Sequence, residues 1–324
     1  MPYAIRLHQN GGPDVLSWEA IDLPVPAPGE ATVRHHAVGL NFIDVYHRTG
    51  LYPVTLPSGI GMEGAGVVEA VGEGVSQLKV GDRVAYAGGP LGAYAEVRNI
   101  PAHRLLKLPD AISFETGAAM MLQGLTAAYL LRKTYRVQAG DAVLIQAAAG
   151  GVGLIACQWA RVLGATVIGT VGSPAKAELA RAHGCHHVIN YSTENFAQRV
   201  REITNGEGVA VVYDGVGKDT FAGSLDSLRP MGMMVSFGNA SGPVPPLDLI
   251  VLSQKGSLFV TRPTLMNYTA KREDLVALGS ELFDVVVSGQ VRIEVNQTYA
   301  LKDAAQAHRD LEARQTTGST ILIP

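Results

Sequence analysis

Two patterns of apolar and polar residues divide the chain. Up to about residue 122, short apolar runs are separated by Gly and Pro, which is typical of β-strands joined by turns. From Phe114 the sequence is rich in helix-forming residues, as in FETGAAMMLQGLTAAYLLRK. We therefore expect a β-rich N-terminal region that ends in a helix leading to a second region.

Between Asp141 and about Pro263, β-like and helix-like segments alternate. The series runs AVLIQA, LIACQWARVLG, TVIGTV, PAKAELARAHG, HVINY, ENFAQRVREIT, VAVVYDG, TFAGSLDSL, MMVSFG and SLFVTRP. This alternation predicts a parallel sheet covered by helices. The remaining C-terminal residues return to a mixed pattern, and we expect them to fold back onto another part of the chain. Their segments are the helix KREDLVALGSELFDVVVSG, the strand VRIEVNQTY, the helix AAQAHRDLEAR and the apolar end STILIP.

One segment has the hydropathy of a membrane span. Residues 142–160 carry no charge, and a membrane-crossing helix needs about 20 such residues. However, Gly150, Gly151 and Gly153 lie in the middle of the segment, and its first residues are β-type. We therefore predict a strand, a turn and a helix here, and no membrane association.

Composition and charge narrow the function classes. A chain of 324 residues exceeds the usual size of one hydrophobic core, so two domains are expected. The net charge of −3 and the lack of a Lys/Arg block argue against a nucleic-acid or anionic-membrane surface, so a small-molecule ligand is expected. Cys157 and Cys185 are too few for a disulfide framework, and we interpret both as buried, reduced thiols. The N-terminal residues show no export-signal pattern, which predicts a cytoplasmic location.

The stretch QAAAGGVG, residues 146–153, joins an apolar strand to a helix. In such a unit, glycines let the backbone approach a pyrophosphate while the helix N-terminus offers N–H groups and a partial positive charge. A tight turn that only packs helix on strand is the alternative. The strand before, the helix after and the further alternations favour a dinucleotide site, with Gly150, Gly151 and Val152 as binding residues.

The end of the second predicted strand indicates which dinucleotide is bound. NAD-selective sites place a carboxylate about 20 residues after the glycines, where it holds the ribose 2′-hydroxyl. Here the chain has Gly172, Ser173 and Lys176 instead, and a hydroxyl with a lysine suits the 2′-phosphate of NADPH. Tyr191 can flank the same phosphate. A solvated lysine and a half-buried strand tyrosine are the simpler alternatives for Lys176 and Tyr191.

With these motifs the chain resembles the medium-chain dehydrogenase/reductases, and within them the zinc-independent quinone oxidoreductases related to zeta-crystallin. The resemblance is carried by GLNFIDVYHRTGLYP, PSGIGMEGAGVVEAVG, VGDRV, LQGLTAAYLL, QAAAGGVGLIACQWA, VVYDGVG, VSFGN and VTRP. It implies an α/β fold in which a doubly wound Rossmann sheet, residues 125–264, is inserted in a β-rich GroES-like (chaperonin-10-like) catalytic domain, residues 1–124 plus 265–324. It also implies an active site in the cleft and a homodimer formed through the edge of the Rossmann sheet, near SLFVTRP.

The same resemblance predicts that no metal is bound. Zinc-dependent alcohol dehydrogenases of the superfamily have a cysteine and a histidine where this chain has Asn41 and Met62, the latter before Glu63. An amide and a thioether do not replace thiolate and imidazole around zinc. Without a Lewis acid the hydride acceptor has to be electrophilic by itself, as a quinone or an α,β-unsaturated carbonyl is.

Residue roles follow from the resemblance alone. Near the nicotinamide it implies Asn41, Asp44 and Tyr52 as catalytic residues, and Asn41 and Tyr52 can donate to a substrate carbonyl. Asp44 can hold a ribose or a lysine, or only cap the following helix. For Thr126, a purely structural position in a helix is an equal alternative to cofactor binding. The further residues implied to bind the cofactor are Phe42, Tyr46, Thr126, Tyr129, Gly238, Asn239, Arg262 and Pro263.

The predicted function is NADPH-dependent reduction of quinones. An NADPH-dependent enone or enal reductase is the alternative within enzymes, and the named residues do not separate the two. A non-enzymatic, NADPH-loaded RNA-binding or structural protein is the alternative from another class. The charge balance argues against RNA, because phosphate binding needs clustered Lys and Arg.

Overall fold

The computed structural model describes residues 1–324 and contains sixteen β-strands and ten α-helices. The strands are β1 Tyr3–Leu7, β2 Leu16–Ala20, β3 Glu30–Leu40, β4 Ser58–Gly59, β5 Glu63–Val71, β6 Arg83–Ala87, β7 Val97–Pro101, β8 Leu106–Lys107, β9 Ala142–Ile145, β10 Thr166–Val171, β11 His187–Asn190, β12 Val209–Asp214, β13 Leu228–Ser236, β14 Phe259–Thr261, β15 Val295–Ala300 and β16 Ser319–Ile323.

The helices are concentrated after residue 110. They are α1 Phe42–Thr49, α2 Phe114–Tyr129, α3 Gly151–Val162, α4 Pro174–Ala182, α5 Phe196–Ile203, α6 Phe221–Asp226, α7 Ile250–Gln254, α8 Leu265–Tyr268, α9 Arg272–Val287 and α10 Ala304–Glu312. A π-helical turn over Leu130–Thr134 extends α2.

The chain divides into two units. Unit 1 comprises Met1–Leu125, Thr269–Val287 and Ile293–Pro324, and unit 2 comprises Thr126–Tyr268 and Ser288–Arg292. Most of the C-terminal residues therefore belong with the N-terminal region, which agrees with the expectation that they fold back.

Unit 2 is built on one six-stranded sheet in the order β11-β10-β9-β12-β13-β14, and every pair in it is parallel. This is the order of a doubly wound dinucleotide-binding sheet, in which the chain reverses direction beside the first strand. The alternating pattern of the sequence therefore predicted the fold class correctly. The strand β12 is buried along all six residues, as expected for a strand covered on both faces.

The uncharged segment 142–160 is a strand, a turn and a helix, as predicted. It forms β9, a glycine-containing loop and most of α3. No helix in the structure is both long and apolar enough to span a bilayer. Cys157 on α3 and Cys185 are free, buried thiols, as predicted. Their sulfurs lie 3.3 Å apart, and this hydrogen bond together with burial raises the pKa of Cys157 well above its usual value.

Unit 1 contains two sheets. Strands β2, β1 and β4 form a small antiparallel sheet. The larger one runs β15-β16-β3-β5-β6-β8, with β7 also paired to β3. The C-terminal strand β16 pairs antiparallel with the end of β3, so that Thr320 lies opposite Leu40. This pairing places the last residues of the chain beside Asn41, which follows β3.

Some predicted boundaries differ from the structure. The strand predicted as MMVSFG begins earlier, at Leu228, because Leu228 already pairs with Val209 of β12 before the register shifts. The strand predicted as VRIEVNQTY begins only at Val295. Tyr191 lies just after β11 instead of closing it.

A buried carboxylate organises the loop after β12. Asp214 is fully buried, and its two oxygens accept bonds from the N–H groups of Val216 and Gly217 and from the hydroxyls of Thr220 and Ser224, at 2.7–3.0 Å. Ser224 in turn accepts from Gln146, so the network reaches the residue that begins the glycine loop. Such a network specifies one loop conformation because every buried donor is paired.

Replacing Asp214 with Ala should therefore lower the free energy of unfolding by roughly 2–4 kcal/mol, since four buried donors lose their acceptor. Urea denaturation followed by circular dichroism measures the change. The control is Asp219→Ala on the same loop, where the residue is exposed and the change should be within about 0.5 kcal/mol. An equal effect of both substitutions would contradict the role given to Asp214.

Candidate active site

In unit 2, the glycine loop leaves the start of α3 open. Gly150 is the N-cap residue, and no side chain caps the first turn of the helix. A Cβ on Gly153 would collide with the carbonyl oxygen of Ala147, so the loop packs against the helix only with glycine there. Uncapped N–H groups at the start of a helix of this length fit an anionic group such as a pyrophosphate. Gly150, Gly151 and Val152 lie at this helix start, and their binding of the cofactor stays a prediction.

The residues predicted for a 2′-phosphate lie together at the ends of β10 and β11. Ser173 is the N-cap residue of α4, and its hydroxyl accepts the N–H of Lys176 at 3.4 Å. The Tyr191 hydroxyl lies 2.6 Å from the position that a Cβ on Gly172 would occupy, and the tyrosine is 40% exposed. The structure thus places the Ser173 hydroxyl and the backbone of Lys176 at the start of α4, and the Tyr191 phenol against Gly172. This donor set fits a phosphate and offers no carboxylate for a free ribose hydroxyl.

The other residues of unit 2 that were implied to bind the cofactor occupy strand ends and one helix. Gly238 is buried and Asn239 is half-buried, just after β13. Arg262 follows β14 and donates to the carbonyl oxygen of Ser236 at 3.0 Å, and Pro263 comes next. On α2, Thr126 is buried, and Tyr129 stacks on Tyr268 with ring centroids 4.5 Å apart. Strand ends of this kind are where open α/β sheets bind ligands.

In unit 1, Asp44 caps the helix that carries it. One oxygen, Oδ2, accepts the N–H of Asn41 at 2.9 Å, which is the reciprocal bond of a capping box at the start of α1. The same oxygen accepts the Tyr94 hydroxyl at 2.9 Å. The other oxygen, Oδ1, is buried and has no hydrogen-bond partner. The capping alternative for Asp44 is therefore realised, and burial raises the pKa of its carboxyl to about 7.

A directed chain of donors ends on Asp44. The Arg48 guanidinium can only donate, so the His308 Nδ1 that lies 3.0 Å from it must accept. The hydrogen of His308 is then on Nε2, which faces the Tyr94 hydroxyl at 3.2 Å, and Tyr94 donates onward to Asp44. At the outer end Arg48 pairs with both oxygens of Glu312 at 2.8 and 2.9 Å. Burial lowers the pKa of His308 to about 3, so the ring is neutral, as this order of bonds requires.

A second buried chain holds the side chain of Asn41. Its Nδ2 donates to Oε2 of Glu63 at 2.6 Å, and its Oδ1 accepts from Gln123 Nε2 at 3.2 Å. Glu63 also accepts the Leu122 N–H at 2.7 Å, through Oε1. Gln123 accepts the Ser319 hydroxyl at 2.7 Å. Burial raises the pKa of Glu63 to about 8.

Aromatic side chains pack together along α1 and the residues that follow it. The ring centroids of Tyr46 and Tyr52 are 5.1 Å apart, those of Phe42 and Tyr46 are 5.9 Å apart, and His47 packs edge-on to Tyr52 at 6.0 Å. Phe42 and Tyr52 are half-buried, whereas Tyr46 is almost fully buried. Asn41, Asp44 and Tyr46 thus lie on or at the start of α1, with Tyr52 packed against it, and their position near the nicotinamide stays a prediction.

Sequence reasoning did not find the partners of Asn41 and Asp44. The residues that were missed in the chain to Asp44 are Tyr94, His308 and Arg48, and those in the chain to Asn41 are Gln123 and Ser319. The available signal was a polar residue on an apolar helix face: Gln123 interrupts MMLQGL, and His308 shares the buried face of α10 with Ala304 and Ala307.

The residues present do not suit zinc. Asn41 binds Glu63 through its amide, and Met62 precedes Glu63 in the chain, so the two positions of the metal ligands carry a neutral amide and a thioether. No group of three or more His, Cys, Asp or Glu side chains in the structure is arranged to hold a metal ion.

Two family models match the chain. Residues 27–110 match the alcohol dehydrogenase GroES-like domain, and residues 151–278 match the zinc-binding dehydrogenase domain. The GroES-like match confirms the expected fold of the N-terminal region, and the second match covers most of unit 2.

Full-length relatives are similar throughout. A quinone oxidoreductase from Pseudomonas aeruginosa is 57% identical over 325 residues, with all of both chains covered. The 2-haloacrylate reductase of a Burkholderia species is 48% identical, over 100% of this chain and 99% of the other. The crystal structure of Escherichia coli quinone oxidoreductase complexed with NADPH is 52% identical, with a TM-score of 0.98 over 99% of this chain and 100% of the other. On this evidence the chain belongs to the quinone oxidoreductase branch of the medium-chain dehydrogenase/reductase superfamily.

Proposed function

We propose that this protein reduces quinones with NADPH and without a metal ion. The observation that carries the proposal is the Asn41 amide bound to the buried Glu63 carboxylate, beside Met62, where the zinc-dependent relatives have metal ligands. Full-length identity to proteins named quinone oxidoreductase supports the substrate class.

NADPH fits the residues of unit 2. The open N-terminus of α3 receives the pyrophosphate, and Ser173, Lys176 and Tyr191 receive the 2′-phosphate. The ends of β13 and β14, with Gly238, Asn239, Arg262 and Pro263, serve the nicotinamide half, together with Thr126 and Tyr129. Phe42 and Tyr46 are proposed to complete the binding of the cofactor.

The chain orients the acceptor and stabilises the charge that develops on it. When bound, NADPH supplies a hydride to the acceptor. Asn41 keeps one N–H of Nδ2 beyond its bond to Glu63, and this N–H donates to the acceptor carbonyl. The Tyr52 hydroxyl donates to the same oxygen or to a second one. Asp44 was also implied as catalytic. It accepts the backbone N–H of Asn41 and so helps to position that residue.

Reduction of an α,β-unsaturated carbonyl is the second candidate function. It is favoured by one specific observation, namely the 48% identity to a protein named 2-haloacrylate reductase. Such a substrate also has a carbonyl oxygen that gains negative charge, so the same Asn41 N–H can serve it. The two candidates differ in where the hydride arrives and share their hydrogen-bond donor.

We also propose that two copies of the chain associate through the edge strand β14. This strand is the last of the parallel sheet, and its Phe259 and Val260 are 58% and 37% exposed. An exposed apolar edge strand is avoided in monomers because it invites pairing with another chain. Met231, Leu249 and Ile250 are further exposed apolar residues of this unit.

Purified protein should oxidise NADPH in the presence of 1,4-benzoquinone or 9,10-phenanthrenequinone, and should retain this activity after chelation and removal of metal ions. Loss of NADPH absorbance measures the rate. An enone assayed in parallel separates the two candidate reactions, because the preferred acceptor has the larger kcat/KM. Failure to turn over any quinone or enone would refute the reaction, and stoichiometric zinc near Asn41 with loss of activity on chelation would refute metal independence.

Lys176→Asp should weaken NADPH binding by roughly 10- to 100-fold, because a cation facing the 2′-phosphate becomes an anion. NADH, which lacks that phosphate, should lose much less affinity. Fluorescence titration of both nucleotides measures the two dissociation constants. Lys302→Asp, an exposed charge reversal in unit 1, is the control. Equal losses for NADPH and NADH would show that the 2′-phosphate binds elsewhere.

Light scattering should give about twice the chain mass of 34.2 kDa for the wild-type protein. Phe259→Lys should shift the population towards the monomer, because a lysine on an edge strand opposes pairing with a second chain. Val25→Lys, at an apolar position in unit 1 that is 88% exposed, should leave the mass unchanged. A monomeric wild-type protein, or a dimer that Phe259→Lys leaves intact, would contradict this interface.

A further inference from the structure

The amide of Asn41 can be placed in two ways, and its neighbours decide which. Rotating the amide by about half a turn exchanges Nδ2 and Oδ1 with almost no change in shape, so packing alone does not fix it. A ligand oxygen beside the Nδ2 position meets a donor. After rotation the same ligand oxygen would meet another acceptor, which repels a developing negative charge.

One end of the chain is fixed by backbone. The Leu122 N–H donates to Oε1 of Glu63, and a backbone amide cannot change its direction of donation. The second oxygen of the carboxylate, Oε2, therefore accepts a hydrogen bond from Nδ2 of Asn41 at 2.6 Å. Glu63 is fully buried, and its Oε2 occupies space that a Cβ on Gly39 would fill, so the carboxylate fits here only because residue 39 is a glycine.

At the other end, Ser319 agrees with this direction. Its hydroxyl donates to Oε1 of Gln123, which turns the Gln123 Nε2 towards Oδ1 of Asn41. All four side chains are nearly or fully buried. The donors therefore run in one direction, from Ser319 through Gln123 and Asn41 to Glu63, and each bond agrees with the next.

We propose that Glu63, Gln123 and Ser319 are positioning residues that hold the Asn41 amide so that Nδ2 faces the acceptor oxygen and donates to it during reduction. This inference rests on the proposed function, because it concerns the oxygen that gains charge when hydride arrives. None of the three residues needs to touch the acceptor.

The chain can also run in the opposite direction without losing a partner. If the residue at 63 donates to Asn41, then Asn41 Oδ1 accepts from it and Nδ2 donates to Gln123 Oε1. Gln123 Nε2 then donates to the Ser319 hydroxyl, which can accept. The reversed chain thus has nearly as many hydrogen bonds as the original. However, it places Oδ1 of Asn41, instead of Nδ2, where the acceptor oxygen binds.

Glu63→Gln should produce this reversal. The Leu122 N–H keeps Oε1 of the new glutamine, so its Nε2 has to face Asn41. We expect the thermal midpoint to stay close to the wild-type value while kcat for NADPH-dependent quinone reduction falls on the order of 100-fold, with a smaller change in KM, as for the loss of one donor to a developing oxyanion. Steady-state kinetics and differential scanning calorimetry measure the two effects.

The double variant Glu63→Gln with Gln123→Glu tests the direction itself. It moves the buried carboxylate to the opposite end of the chain, where the new side chain at position 123 accepts from both Asn41 and Ser319, and so it fixes the reversed chain. We expect it to fold stably and to remain as slow as Glu63→Gln. If buried charge alone matters, the double variant should instead recover activity. Glu69→Gln, on the outer part of β5, is the matched carboxylate-to-amide control and should leave kcat unchanged.

Protonation of Glu63 should reverse the chain in the same way. Burial is the main reason that the pKa of Glu63 is raised to about 8, and the charge of Asp44 raises it further. Burial also raises the pKa values of Tyr86 and Tyr94, and the charge of Glu63 in turn raises them further. The productive direction needs the carboxylate ionised, so kcat should fall as the pH falls through about 8. The pH profile of kcat for Glu63→Gln should lack this fall. A fall in kcat that is due to protonation of Asp44 should remain in the variant.

The outcomes separate the two proposals. A wild-type protein without quinone or enone reduction refutes the proposed function and, with it, the inference. An active wild-type protein with an equally fast Glu63→Gln variant refutes the inference alone, as does recovery of activity in the double variant. A slow Glu63→Gln variant with an unchanged thermal midpoint, together with a slow double variant, supports the positioning role.

Discussion

A fully buried carboxylate needs hydrogen-bond donors inside the protein, and the need to satisfy Glu63 shapes much of unit 1. Its two oxygens take the backbone N–H of Leu122 and the amide of Asn41. The bonds draw the start of β5, the middle of α2 and the residue after β3 to one point, and Gly39 leaves the space that the carboxylate occupies. Because a buried unpaired carboxylate is so costly, these elements cannot move apart independently.

Asp44 shows the same constraint through a longer chain of donors. Arg48 donates to His308, His308 donates to Tyr94, and Tyr94 donates to Asp44. Asp44 also caps α1. His308 belongs to the C-terminal helix α10, and Ser319, which ends the chain from Glu63, begins the C-terminal strand β16. The return of the C-terminal residues to unit 1 therefore adds one residue to each of the two hydrogen-bonded chains that end on Asp44 and Glu63, in addition to a strand for the sheet.

The sequence contained most of the fold because the fold depends on local periodicity. The alternation of apolar runs and helical segments predicted the parallel sheet, and the glycines between β9 and α3 were readable because their role needs no distant partner. The two buried chains were not predictable, since Arg48 and His308 are 260 residues apart in sequence and Gln123 and Ser319 are 196 apart. Polar residues on apolar helix faces indicated that partners must exist, but nothing local indicated which ones.

A neutral amide stabilises a growing negative charge less than a divalent cation does, and this difference limits the acceptors that such a site can use. An acceptor suits it when its own π-system spreads the charge, as in a quinone or a conjugated enone. Both classes place the charge on a carbonyl oxygen, so the Asn41 chain does not distinguish them. Discrimination has to come from shape, and the half-buried aromatic rings of Phe42 and Tyr52, packed around Tyr46, are the side chains of this segment that can provide it. A flat ring gains most from stacking on such a cluster, which favours quinones over small enones in the proposed reaction.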